Sequence, residues 1–257
     1  MLDARNITVT LGRREILHSV DFAAQAGELT VIIGPNGSGK TTLMRALTGE
    51  IDFDGTITLN GRDIRRQLPW KLAAVRGVLP QSTPLSFPFT VLEIVRLGLH
   101  ASPDAERNRL PVTALDAVGL SGFEGRFYQE LSGGEQQRVQ LARVLCQVWS
   151  PVCEDGPRWL FLDEPVSSLD IGHQLMIMRL AKDYARRGGG VVAVMHDLNM
   201  TALHADRLAL ISEGHIIAHG SPDAVLTDHN LQSAYHCVLR VNTTPQNGLY
   251  VLPHSAA

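Results

Sequence analysis

Aromatic residues are scarce in this 257-residue sequence, at 5% of the total, and there are only three cysteines, Cys146, Cys153 and Cys237. An odd count, wide spacing and no Cys-x-x-Cys pair exclude a disulfide framework and a zinc-ribbon site, and they fit a reducing compartment. Neither charge is in excess: 23 Lys and Arg against 26 Asp and Glu leave a net −3. The basic surplus of a nonspecific nucleic-acid binder is therefore missing. No uninterrupted apolar run approaches the roughly 18 residues needed to cross a bilayer. The opening residues, Met1-Leu2-Asp3-Ala4-Arg5, carry no basic-then-apolar signal pattern. Repeats and low-complexity segments are absent as well. What is present is a 44% apolar chain, long enough to remove about 70–75% of its unfolded surface from water without staples.

Four short apolar runs stand out: Leu29 to Ile33, Gly77 to Leu79, Leu160 to Leu162 and Val191 to Met195. None alternates with period two. Continuous runs of this length are expected of strands covered on both faces, which points to a mostly parallel sheet flanked by helices. One run feeds a glycine-rich loop, and the others end at Gln81, at Asp163-Glu164 and at His196. In an open α/β sheet, ligands bind beyond the carboxyl ends of the strands, so these four ends are expected to converge. Ser82 to Pro88 reads as a hinge-like loop, and Thr90 to Val148 as a mostly helical insert punctuated by Pro103 and Pro111. Ile177, Leu180, Ala181 and Tyr184 mark an amphipathic helix stopped by Gly188-Gly189-Gly190. Asn247-Gly248 suggests a terminal hairpin.

Gly34-Pro35-Asn36-Gly37-Ser38-Gly39-Lys40-Thr41 matches G-x-x-x-x-G-K-[ST] in full, between an apolar strand and a helical run. This is a phosphate-binding loop: glycines let backbone N–H groups turn inward, Lys40 reaches the β- and γ-phosphates, and the Thr41 hydroxyl suits Mg²⁺. Asp163 at a strand end can hold Mg²⁺, and Glu164 can act as general base toward an attacking water. By itself an Asp-Glu pair is more often a solvated strand end; the upstream loop changes that balance. Leu131-Ser132-Gly133-Gly134-Glu135 opens a helix whose unpaired N–H groups can receive an anion, although Ser132 and Glu135 also suit a simple capping box.

Taken together, these motifs resemble the nucleotide-binding subunits of ATP-binding cassette transporters, over residues 1 to about 220. The loop through Thr42, Gln81, Leu131 to Glu135, Asp163-Glu164, Ser167-Ser168-Leu169-Asp170 and His196 all stand in the family's order. The resemblance implies an α/β P-loop NTPase fold with a mostly parallel sheet, a helical insert and a small antiparallel β portion. Expected divisions are 1–82 and 151–220 for the ATP-binding core, 83–150 for the helical subdomain with the signature, and 221–257 for a C-terminal extension. It also implies ATP and Mg²⁺ as cofactors, with Thr41, Gln81 and Asp163 toward the metal. Two copies would stack head to tail, Ser132, Gly133 and Gly134 of one covering ATP on the other's loop. Glu164, His196 and Gln81 would serve the reaction, and Asp170 would lie across the interface. A permease dimer docking near Pro84 to Arg96, a periplasmic substrate-binding protein, and residence on the cytoplasmic face of a bacterial inner membrane follow from the same resemblance.

The sequence departs from the family at one place. Related cassettes usually carry an aromatic adenine platform where Leu11-Gly12 stands here, and no Phe, Trp or Tyr precedes Phe22. Leu11 is the expected replacement, with Arg13 or Arg14 covering the ring through its guanidinium plane. Phe87-Pro88-Phe89-Thr90-Val91, the extension from Gln147 to Arg158, and Asp170-Ile171-Gly172-His173-Gln174 resemble the subgroup importing heme, which sits with ferric-siderophore and cobalamin importers. Ferric-siderophore or cobalamin import is the competing reading, and behind it stands a soluble cassette ATPase of repair or translation. The latter lacks support, because the chain carries neither a long coiled-coil insertion nor a second cassette. The histidines other than His196 are scattered, without metal-ligand spacing.

Overall fold

The computed structural model describes residues 1–81, 87–101, 109–244, 247–249 and 251. Its strands are β1 (Leu2–Leu11), β2 (Arg14–Ala24), β3 (Leu29–Ile33), β4 (Asp54–Leu59), β5 (Arg62–Asp63), β6 (Arg76–Leu79), β7 (Val152–Cys153), β8 (Gly156–Pro157), β9 (Trp159–Asp163), β10 (Gly190–Val194), β11 (Arg207–Ser212) and β12 (His215–Gly220). The helices are α1 (Lys40–Leu47), α2 (Pro69–Val75), α3 (Val91–Leu97), α4 (Leu110–Ala117), α5 (Gly133–Gln147), α6 (Ile171–Arg186), α7 (Leu198–His204), α8 (Pro222–Val225) and α9 (Asp228–Tyr235).

The four apolar runs form β3, β6, β9 and β10, side by side in a six-stranded sheet of order β12-β11-β3-β10-β9-β6. All neighbours in it are parallel except the edge pair β11–β12. Alternate residues serve two different cores. Leu160 and Leu162 of β9, with Val191 and Ala193 of β10, pack toward α3 to α7. Trp159, Phe161, Val192 and Val194 face α1 and the strands β1, β2 and β4. A strand buried on both sides has no polar face, which is why these runs show no period-two signal.

That second layer is an antiparallel sheet of order β2-β1-β4-β5. Its two long strands do alternate, but bulges shift the phase. Register slips between Ala4 and Ile7 and between Ile7 and Val9, at Asn6, whose φ is 53°. The Asp21 carboxylate accepts the Asn6 N–H at 2.8 Å. Each bulge inserts one residue and flips the buried face, so a fixed period cannot describe the strand.

The helical insert is present: α3, α4 and α5 pack together through Val91, Ile94, Val95, Leu115, Val139 and Ala142. Both α3 and α5 begin with a capping box, Thr90 with Glu93 and Ser132 with Glu135. Pro111 sits in the first turn of α4, where a missing N–H costs nothing. Pro103 and most of the Ser82–Pro88 loop lie outside the described residues; the hairpin expected at Asn247-Gly248 does not form among the described residues around it, where 241–244, 249 and 251 are turn or coil. Helix α6 ends before Gly188, whose φ is 95°. After β12 the chain forms α8 and α9, and the Asp228 carboxylate draws the following segment back by accepting from Arg240 and from the Val241 N–H.

Candidate functional site

The carboxyl ends of β3, β6, β9 and β10 lie at one rim of the sheet, as expected for a parallel array. From β3 the chain runs into the 34–39 loop and then α1. At Gly34 an added Cβ would stand 2.0 Å from the Ile211 carbonyl oxygen, and at Gly39, with φ 107°, it would meet Leu17 at 2.8 Å. Both positions require glycine sterically. No side chain caps α1 at Gly39, so its first N–H groups stay open to an anion. Lys40 is only 5% exposed, and its Nζ donates to the carbonyls of Gly34 and Pro35 at 2.9 Å each. Burial lowers its pKa, against the opposing pull of Glu164 and Asp163. The Ser38 hydroxyl is buried without a hydrogen-bond partner among the described residues. A desolvated ammonium, an orphan hydroxyl and a bare helix start fit a polyphosphate.

Asp163 ends β9, 4% exposed, and the Thr41 hydroxyl approaches its carboxylate at 3.4 Å. Burial raises the Asp163 pKa above the usual carboxylate range, because a desolvated carboxylate disfavours its charged form. Glu164 follows with φ 51°, and its carboxylate meets His196 Nε2 at 2.5 Å. Gln81, exposed just past β6, completes the far wall of a cleft of about 620 Å³ that also involves Lys40, Thr41, Thr42, Glu164 and His196. One cleft therefore joins Lys40, Thr41, Thr42, Gln81, Glu164 and His196, with Asp163 linked to it through Thr41. Asn36 and Gly37 line it and a neighbouring cavity of about 630 Å³, which Pro35 and Ser38 border as well.

Other expected residues stand apart. Leu11 pairs with Arg14 across the β1–β2 turn and lines neither cavity; Arg14 and Ile16 line both. Ile16 has no sequence signal, because its exposure depends on strand register. The second cavity also gathers His18, His215 and His236, far apart in sequence, with the first two rings stacked at 4.8 Å. Ser132, Gly133 and Gly134 border neither cavity. Ser132 caps α5, its N–H and hydroxyl donating to Glu135 at 2.8 and 2.7 Å. An added Cβ would meet nothing within 4 Å at Gly133, whereas at Gly134 it would lie 2.8 Å from the Ser168 carbonyl oxygen. Asp170 caps α6 by accepting the His173 N–H at 2.9 Å and contacting its ring at 2.7 Å. A separate cavity of about 420 Å³ between α5 and α6, lined by Trp149, Met176 and Tyr184 among others, contains none of the motif residues.

Comparison with known proteins agrees with this geometry. The family model described as ABC transporter matches residues 17–167. The hemin import ATP-binding protein HmuV of Jannaschia sp. (strain CCS1) is 60% identical over 257 residues, covering 100% of this chain and 95% of that protein. Its namesake from Rhizobium etli is 56% identical over 261 residues, covering 100% and 98%. Among solved structures, the dimeric bacterial ABC transporter cassette MJ0796 superposes with a TM-score of 0.74 at 26% identity, over 86% of this chain and 99% of that one. A phosphate-binding loop on a mostly parallel sheet, joined to a helical insert whose last helix opens with Leu-Ser-Gly-Gly-Glu, is here matched from end to end by relatives of one kind, and the chain belongs to the ABC transporter family of ATP-binding cassettes.

Proposed function

We propose that this cassette ATPase drives heme import through a membrane permease, working as a head-to-tail pair of identical chains. The observation that carries the substrate is the 60% identity, along the whole chain, to a protein named for hemin import. Among the described residues no helix is long and apolar enough to cross a membrane, so the translocation path is assigned to a partner chain. Exposed Leu68, Trp70, Phe87, Leu97 and Phe127 supply apolar surface for that partner, which a periplasmic binding protein would load from the other side.

In the proposed reaction Lys40, the 34–39 loop and the start of α1 bind the β- and γ-phosphates. Thr41, Gln81 and Asp163 fit Mg²⁺, which would neutralise charge between those phosphates. Glu164 accepts the proton of the attacking water, and His196 holds its carboxylate in place. Ser132 and Gly133 would close over the triphosphate of the second copy. Support for this comes from the open space at Gly133, which its own chain leaves unfilled. Arg14 and Ile16 would take the adenine side, since they line the cleft beside the loop.

Reconstitution with candidate permeases and binding proteins tests the reading. Heme-loaded binding protein should stimulate ATP turnover, and ferric siderophore or cobalamin should not. Stimulation by either of those alone would replace heme as the substrate.

A further inference from the structure

Helix α5 touches the loop after β9 at two points that the proposed reaction has not used. The first is steric: Gly134 lies against the Ser168 carbonyl and the Leu169 side chain, with no room for a methyl group. The second is polar. Gln137, one turn further on, donates from Nε2 to the Glu164 carbonyl oxygen at 2.7 Å. Its Oε1 is buried with no partner among the described residues. Turning the amide over would point that oxygen at another oxygen, so the donor orientation is fixed by chemistry. A buried, unpaired acceptor is unfavourable, and a side chain keeping one is held there for its other end.

The group receiving this bond is unusual. Glu164 adopts φ 51°, a left-handed conformation that residues with a Cβ seldom adopt unless their surroundings impose it. Its N–H donates to the Val194 carbonyl at 3.2 Å, and its own carbonyl also accepts from the Ser167 hydroxyl at 3.2 Å. Gln137 is the contact that reaches this peptide from α5, across 27 residues of sequence. Because the Cα–Cβ direction follows the backbone, whatever fixes this peptide aims the carboxylate.

We infer that Gln137 is a positioning residue for the general base: it ties the helix that opens with Ser132-Gly133-Gly134 to the backbone of Glu164. Seating a second copy's triphosphate against the start of α5 then bears directly on the carboxylate in the first copy's cleft. The inference rests on Glu164 being the base, as proposed above.

The test uses the full-length chain, measuring ATP turnover, thermal unfolding and the pH profile. Gln137→Met keeps the shape and removes the donor together with the orphan oxygen. It should lower kcat on the order of 10- to 100-fold, the effect of misplacing a reacting group by about an ångström. KM for ATP and the unfolding temperature should not fall. Gln137→Glu should be nearly inactive at alkaline pH and regain turnover as pH falls, because only a protonated carboxyl can donate to the Glu164 carbonyl. Native kcat in Gln137→Met overturns the inference. So does loss of turnover that tracks loss of folding, with no recovery of Gln137→Glu at low pH. Glu164→Gln, measured in parallel, separates the two levels. If it still hydrolyses ATP, the assignment of the base fails and takes this inference with it. If it is inactive while both Gln137 variants behave as the native chain, only the positioning role fails.

Discussion

Gly133 and Gly134 are neighbours in the same helical turn, yet the structure assigns them opposite responses to one added methyl group. At Gly133 the methyl enters open space. Replacing glycine by alanine in a helix is worth up to about 0.5–1 kcal/mol, less at its first residue. For a chain of this size about 2–4 °C accompanies each kcal/mol, so Gly133→Ala should unfold at the native temperature or a degree or two above it. At Gly134 the methyl would lie 2.8 Å from a backbone oxygen and 3.1 Å from Leu169. Overpacking of this kind costs roughly 1–3 kcal/mol, so Gly134→Ala should unfold several degrees lower. Turnover should not follow the same order. If the space above Gly133 receives the second copy's triphosphate, the methyl displaces one N–H donor from the developing charge, and such a donor is worth roughly 10²–10³ in kcat. Calorimetry with phosphate-release kinetics over a range of chain concentrations measures both quantities. Gly133→Ala turning over at the native rate, with the native dependence on concentration, would refute the two-chain site.

Further expectations concern the cleft itself. Glu164→Gln should cut turnover by about 10²–10⁴, the usual worth of a positioned base, while still binding ATP in a filter assay; near-native hydrolysis contradicts the assignment. Asp163 has a folded pKa raised by burial, so its ionised form opposes folding, and stability falls as pH rises through that folded value. Asp163→Asn should therefore raise the unfolding temperature of the nucleotide-free chain at neutral pH while abolishing Mg²⁺-dependent turnover. An unfolding temperature that drops would show the carboxylate to be structural. Because Arg14 lines the cleft and Leu11 does not, Arg14→Ala should weaken ATP binding several-fold and Leu11→Ala should leave it unchanged in a titration; the reverse order would return the adenine platform to Leu11.

Much of the candidate site is legible in the sequence because its signals are local. A phosphate-binding loop needs glycines, lysine and a hydroxyl at fixed spacing, and strands buried on both faces announce themselves as unbroken apolar runs ending in Gln81, Asp163-Glu164 and His196. The capping box of Ser132 with Glu135 acts within one turn of its helix and is readable for the same reason, whereas the Asp170 cap of α6 is not among the expectations. The antiparallel layer is not readable in this way, because bulges at Asn6 and Ser19, with φ of 53° and 48°, reset the alternation that reveals a half-buried strand. Fold class and family thus follow from patterns local to the chain, and so does the expectation of a phosphate-binding loop. Packing in three dimensions is what turns Arg14 and Ile16 rather than Leu11 to the cleft, crowds Gly134 while leaving Gly133 open, and sets Gln137 against the Glu164 peptide. Each of those facts depends on the phase of one element against another distant in the chain, and no spacing along a single strand or helix encodes that phase.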